Sequence, residues 1–144
     1  TPGDLPRLLA SVRAGADLVQ GSRFLPGGRA LGIRRVHAAS IQTFGLLFAA
    51  VCRYRYSDPT NGFRAIRAEC LRAWMRDLRQ PWLDRYELEP YTLWRAARAG
   101  VRIAQVPITV VHPPKRSDHT KMVPILDWWR LASPAVYLGL GLRR

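Results

Sequence analysis

Apolar positions fall along this chain in two distinct periods. Leu5, Leu8, Leu9 and Val12 stand three and four apart behind Asp4, which predicts a helix with Asp4 as its N-cap and Gly15 as its stop. ADLVQGSR is a short apolar run and predicts a buried strand, whereas the glycines of FLPGGRALGI predict a loop. Arg34 and Arg35 open a long apolar helix through HAASIQTFGLLFAAVC. Polar groups interrupt it, so it reads as a core or interfacial helix and not as a membrane span.

Beyond the polar stretch SDPTNG, FRAIRA predicts a strand and ECLRAWMRDL a helix with Leu71, Trp74, Met75 and Leu78 at helical spacing as core. A further helix is expected from Tyr86 to Ala99, with Pro90 tolerated in its first turn and Gly100 ending it, and VRIAQVPITVV follows as a strand. Helices alternating with short strands predict an α/β fold with a mixed sheet flanked by helices. PPKRSDHTKM reads as a basic loop. In VPILDWWRLASPAVYLGLGLRR, Asp127, Arg130 and Pro134 interrupt the apolar run, and adjacent tryptophans flanked by Lys and Arg suit a bilayer interface. The alternatives are a helix packed on its own domain or the entrance to a membrane helix. The expected division is 1–122 for the folded domain and 123–144 for an amphipathic, membrane-interfacial segment.

Composition narrows the picture. A chain of 144 residues with 48% apolar side chains fits one globular domain. Its opening, TPGDLPRLL, lacks a methionine and runs from a turn straight into a helix, which reads as a cut through a longer protein. The net charge of +13 implies attraction to anions, but only Lys115 and Lys121 of the 23 basic residues are lysines. That arginine skew can reflect coding bias as well as ligand binding. Cys52 and Cys70 stand apart with no CxxC spacing and read as packing residues, and His37, His112 and His119 are too scattered for a metal site.

In SDPTNGFRA, Asp58, Pro59, Asn61 and Gly62 are turn formers, each for its own backbone reason, so a tight, rigid loop enters a strand at Phe63. Such a loop suits chemistry; its plain reading is a connector. The ordered set ADLVQGSRF, a Gly-rich loop, RR, an apolar helix, DPTNGFRAIR, YELEP, AGVRIAQVPI and HTKM resembles the C-terminal half of the dolichol-phosphate mannosyltransferase-like members of glycosyltransferase family 2. The resemblance runs from Asp4 to about Lys121.

The resemblance implies the C-terminal part of a GT-A fold, a nucleotide-sugar donor, Mg²⁺ or Mn²⁺, and inverting transfer to a polyprenyl phosphate or another membrane-linked acceptor at the cytoplasmic face of the plasma membrane. The family's DxD metal motif and nucleotide-binding strands lie ahead of a segment like TPGDLPRLL, so the chain alone is expected to lack most of the donor site and to be inactive. Arg23, after Gly21 and Ser22, and Arg34 or Arg35 fall where the family binds acceptor phosphate, a task suited to guanidinium forks. Their plain reading is solvated arginines. The family's serine after that second arginine is replaced by Ala38 and Ala39, with Ser40 slightly later.

Asp58 matches the acidic residue of the family's D-x-T-x-G-F motif, and the resemblance implies a catalytic role for it, its carboxylate organising metal, sugar or acceptor at the reaction centre, with Thr60, Asn61, Gly62 and Arg64 beside it as substrate-binding candidates. Its plain reading is a turn cap. Glu87 and Glu89, two apart at a helix start, do not share a face, so one is expected to point into the site, Glu89 ahead of Glu87. Their plain reading is charge stabilising a helix N-terminus. Lys121 falls on an acceptor-side loop. Two rival classes stand beside this reading: a non-catalytic membrane-surface module, and a nucleic-acid-binding module, which lacks any helix-turn-helix, zinc or RNP-like signature.

Overall fold

The computed structural model describes residues 1–84, 86–112 and 126–142. A single 3₁₀ turn leads into α1 (Leu5–Arg13), followed by β1 (Leu18–Ser22), β2 (Arg29–Leu31) and α2 (Arg35–Cys52). Then come β3 (Arg64–Ile66), α3 (Ala68–Leu78), α4 (Leu88–Ala99), β4 (Ile103–Pro107), β5 (Thr109–Val111) and α5 (Leu126–Gly139). The α/β class and the mixed sheet expected from the alternation are both present.

β1 is the centre of the main sheet. β3 runs antiparallel on one side, with Leu18 opposite Ile66, and β4 parallel on the other, with Leu18 opposite Ile103 and Ser22 opposite Pro107. β2 and β5 form a separate parallel pair, Arg29 opposite Thr109. Two expectations are corrected here. The Gly-rich segment is not all loop, because Arg29–Leu31 pairs with β5; and VRIAQVPITVV is not one strand, because it breaks at Ile108 and serves two sheets.

All five residues of β1 are buried, and alternate side chains feed opposite faces. Val19 joins Leu8, Val106 and Ile108 under α1, while Leu18 joins Phe48, Cys52, Tyr56, Trp74, Leu93 and Ala96 beneath α2, α3 and α4. Burial pushes the Cys52 thiol up to about 12. A third cluster of Leu83, Tyr91 and Leu138 ties α5 to this second layer, with the Trp82 ring edge-on to Tyr91 and Tyr137. The apolar faces of α1 and α3 are less covered than their spacing predicts: Leu8 and Trp74 are buried, but Leu5, Leu9, Leu71 and Met75 are exposed.

Asp4 stands at the N-cap of α1, yet its carboxylate makes no cap bond. It accepts from the Thr109 amide, the Thr1 hydroxyl and Arg7, tying the start of the chain to β5. The Thr109 amide and then the Thr1 hydroxyl hold its carboxyl down at about 2.

Candidate functional site

The 57–64 loop lies against the end of β1, and the reason begins inside the sheet. Gln20 carries a long polar side chain in the middle of the buried strand β1 and is fully buried. Its amide nitrogen donates to the carbonyls of Asn61 at 2.6 Å, Asp58 at 3.1 Å and Gly21 at 3.2 Å, giving the loop's inward carbonyls the partner that burial demands. Ser57 Oγ lies 2.7 Å from Ser22 Oγ and 2.8 Å from Gln105 Oε1, and Gln105 Oε1 also accepts from the Ser57 amide. Asn61 Oδ1 accepts from the Phe63 amide, which closes the turn as its composition predicts. One loop is therefore tied to both β1 and β4.

Within that frame Asp58 and Arg23 meet in a closed ion pair. Arg23 Nε donates to Asp58 Oδ2 and Arg23 Nη2 to Oδ1, each at 2.7 Å, and the Arg23 amide also reaches Oδ2 at 3.0 Å. Arg23 Nη2 continues to Thr60 Oγ1 at 2.9 Å. The Asp58 side chain has no exposed surface and that of Arg23 retains 7%. Such a fork–fork pair is geometrically strict, and removing one partner would strand a buried charge.

A second, more open pair stands on the other side of the loop. Arg64 donates to the carbonyls of Asn61 and Glu89 at 3.0 Å each and to Glu89 Oε2 at 3.3 Å. Burial pulls the Arg64 pKa down while the Glu89 carboxylate opposes that. The Glu89 side chain keeps 42% of its surface, and a Cβ on Gly62 would stand 3.1 Å from Glu89 Oε1. Gly62, Arg64 and Glu89 line one end of an open groove of about 440 Å³ whose other walls include Leu71, Met75 and Leu88. Glu87 is buried one residue before α4, its carbonyl accepting from the Tyr91 amide. Glu89 is set against the loop through Gly62 and Arg64.

The sequence-derived site residues thus divide. Arg23, Asp58, Thr60, Asn61 and Gly62 come together with Arg64 and Glu89, but Arg23, Asp58 and Arg64 are engaged with the protein itself. Gly21 and Ser22 are enclosed: a Cβ on Gly21 would lie 2.8 Å from the Phe63 carbonyl, so that glycine answers to packing. Arg34 and Arg35 stand exposed at the start of α2. Lys121 and His119 lie outside the described residues. Among the described residues no three His, Cys, Asp or Glu side chains converge to hold a metal, and Asp58 has both oxygens in the Arg23 fork.

Two features were missed by sequence reasoning. Gln20 is one, and a lone amide inside a buried strand was the signal for it. The other is a histidine pair: His37 in the first turn of α2 and His112 after β5 bring their rings to 6.4 Å, because β2 and β5 pair and the His112 amide donates to the Leu31 carbonyl. His112 Nε2 is enclosed without a hydrogen-bond partner; burial, and then the Arg23 charge, lower its pKa.

The chain is 40% identical over 111 residues to the undecaprenyl-phosphate mannosyltransferase of Micrococcus luteus, covering 76% of this chain and 44% of that protein. It is 36% identical over 111 residues to the polyprenol monophosphomannose synthase of Mycolicibacterium smegmatis, covering 75% and 40%. No family model and no solved structure matches. The resemblance read from the motifs is borne out: the chain is homologous to polyprenyl-phosphate mannosyltransferases, and it spans less than half the length of the curated relatives it matches.

Proposed function

We propose that this chain forms the acceptor-side half of an inverting glycosyltransferase of GT-A fold that moves a sugar, mannose by analogy with its relatives, from a nucleotide donor to a polyprenyl phosphate. The observation that carries the reading is the Arg23–Asp58 pair, since homology to the two mannosyltransferases coincides with a guanidinium held rigidly beside the family's D-x-T-x-G-F loop.

A phosphate acceptor is already anionic and needs no base to become a nucleophile. What it needs is a cation fixed in position, because orientation supplies much of the rate of a two-substrate transfer. The geometry favours Asp58 as a positioning residue: it fixes two nitrogens of Arg23, and among the described residues the remaining nitrogen, Nη1, is left for an incoming phosphate oxygen. Arg34 and Arg35 supply further exposed positive charge at the start of α2. Glu89, on the open side of the loop, is the carboxylate with surface to offer the sugar. Mg²⁺ or Mn²⁺, in this proposal, is held by donor-side residues outside this chain and stabilises the leaving diphosphate. The place of action is the cytoplasmic membrane face.

The test uses the complete protein in membranes with polyprenyl phosphate and a panel of radiolabelled nucleotide sugars. The reading expects label in the organic phase, dependent on divalent metal and reduced on Arg23→Ala at limiting polyprenyl phosphate. No labelling from any donor by a folded, membrane-bound protein would favour a non-catalytic membrane module.

A further inference from the structure

β1 and β4 end side by side, Ser22 opposite Pro107, and the chain runs on from each: from β1 into Arg23, and from β4 into the β2–β5 pair, after which comes His112. Both residues lie beyond the carboxyl end of the main parallel pair, the edge at which open α/β sheets bind their ligands. The backbone holds His112 in place. Its amide donates to the Leu31 carbonyl at 2.7 Å, and a Cβ on Gly32, where φ is +77°, would collide with the His112 carbonyl. The His37 ring stands beside it from the first turn of α2, 6.4 Å away.

These surroundings select one protonation state. His112 Nε2 is enclosed and finds no hydrogen-bond partner. A neutral imidazole tolerates such a nitrogen; an imidazolium, with two N–H groups and a charge to satisfy, does not. Among the described residues the groups that set its charge balance are Arg23, Asp58 and the ring of His37, with Arg34 and Arg35 exposed at the start of α2. Arg23 and Asp58 act in opposite directions, so burial dominates and keeps the ring neutral in the absence of phosphate. A phosphate at Arg23 Nη1 tips that balance, adding its negative charge to that of Asp58 and favouring the charged ring.

We infer that His112 is a further residue of the acceptor-phosphate subsite, taking up a proton from solvent as the phosphate binds. The inference rests on the proposed phosphate contact at Arg23 and adds to it a proton-linked affinity. By linkage, a group more basic in the complex than in the free protein strengthens binding as pH falls through its pKa in the complex. The gain is complete below its pKa in the free protein, which lies under the ordinary 6.5. A difference of one pKa unit between the two states is an about tenfold change in affinity. His112 makes the acceptor, and not the donor, the pH-sensitive substrate.

The test measures KM for polyprenyl phosphate and for the nucleotide sugar in the complete protein, wild type against His112→Gln, a comparison that cancels the acceptor's own titration. The variant's KM for polyprenyl phosphate should lie close to that of wild type at about pH 8.5 and exceed it by about threefold or more at about pH 6. The ratio of the two donor KM values should not change with pH, and His37→Gln should keep the wild-type dependence. A second readout needs no transfer: calorimetric binding of a short-chain isoprenyl phosphate at about pH 6.5, in two buffers of different ionisation enthalpy, should show net proton uptake by the wild type and less by His112→Gln. Urea denaturation at about pH 8 confirms that the variant folds; if it does not, His112→Asn takes its place, and the wild-type proton uptake stands as a test without either. The inference is overturned by an acceptor KM ratio that is flat with pH, by a pH dependence that falls on the donor or is lost in His37→Gln instead, by equal proton uptake in wild type and variant, or by net proton release. Probe binding with its linked proton but no transfer from any donor would count against the transferase reading alone, whereas transfer with a flat acceptor ratio would count against His112 alone.

Discussion

The two arginine–carboxylate pairs flanking the 57–64 loop are chemically alike and physically opposite. Arg23–Asp58 is closed, with two 2.7 Å bonds and no surface left on the carboxylate; Arg64–Glu89 has a single 3.3 Å side-chain contact, with the carboxylate half in solvent. A carboxylate that has lost its water and found a bidentate partner defines where that partner stands. One that keeps its water remains free to meet a ligand. The first pair therefore reads as architecture serving a site, and the second as part of a site.

Stability measurements should separate the pairs. Asp58→Ala leaves Arg23 charged, buried and alone, and should cost about 3–5 kcal/mol in urea denaturation. A loss below about 1 kcal/mol would mean that the pair is hydrated in solution and the contrast is void. Gln20→Leu tests the frame beneath the pair: carbonyls of Asp58 and Asn61 lose their donor, and about 1–3 kcal/mol should go with it. Glu89→Gln should cost less than about 1 kcal/mol, the range of exposed ion pairs. An effect as large as that of Asp58→Ala would show Glu89 to be structural too.

The smallest expected effect is a pH slope. Because folding lowers the His112 pKa below its ordinary 6.5, the unfolded chain binds more protons there, and stability should decline as pH falls from about 6.5 toward the folded value. His112→Gln should flatten that slope. An unchanged slope would place the titration on another group.

Much of this was legible in the sequence, and the exceptions share a cause. α2 and the short strands around Leu18–Ser22 and Arg64–Ile66 announce themselves by period, run length and turn residues. The exposure of Leu5, Leu9, Leu71 and Met75 was not legible, since helical spacing gives a face but not whether something covers it. The 57–64 loop was visible from its turn formers, and its match to a family motif pointed to Asp58. That Asp58 is spent on Arg23, 35 residues earlier, required knowing that β1 and the loop meet; the pairing of His37 with His112 likewise required the β2–β5 contact.

The central claim is that Asp58 acts through Arg23. Steady-state transfer by the complete protein, with polyprenyl phosphate as the varied substrate, tests it in Arg23→Ala, Asp58→Asn and the double variant. The account predicts that each single variant raises KM for the lipid phosphate proportionally more than it lowers kcat, and that the double variant is no worse than the poorer single one. A collapse of kcat in Asp58→Asn at unchanged KM, with Arg23→Ala near wild type, would contradict it and return Asp58 to the chemistry itself.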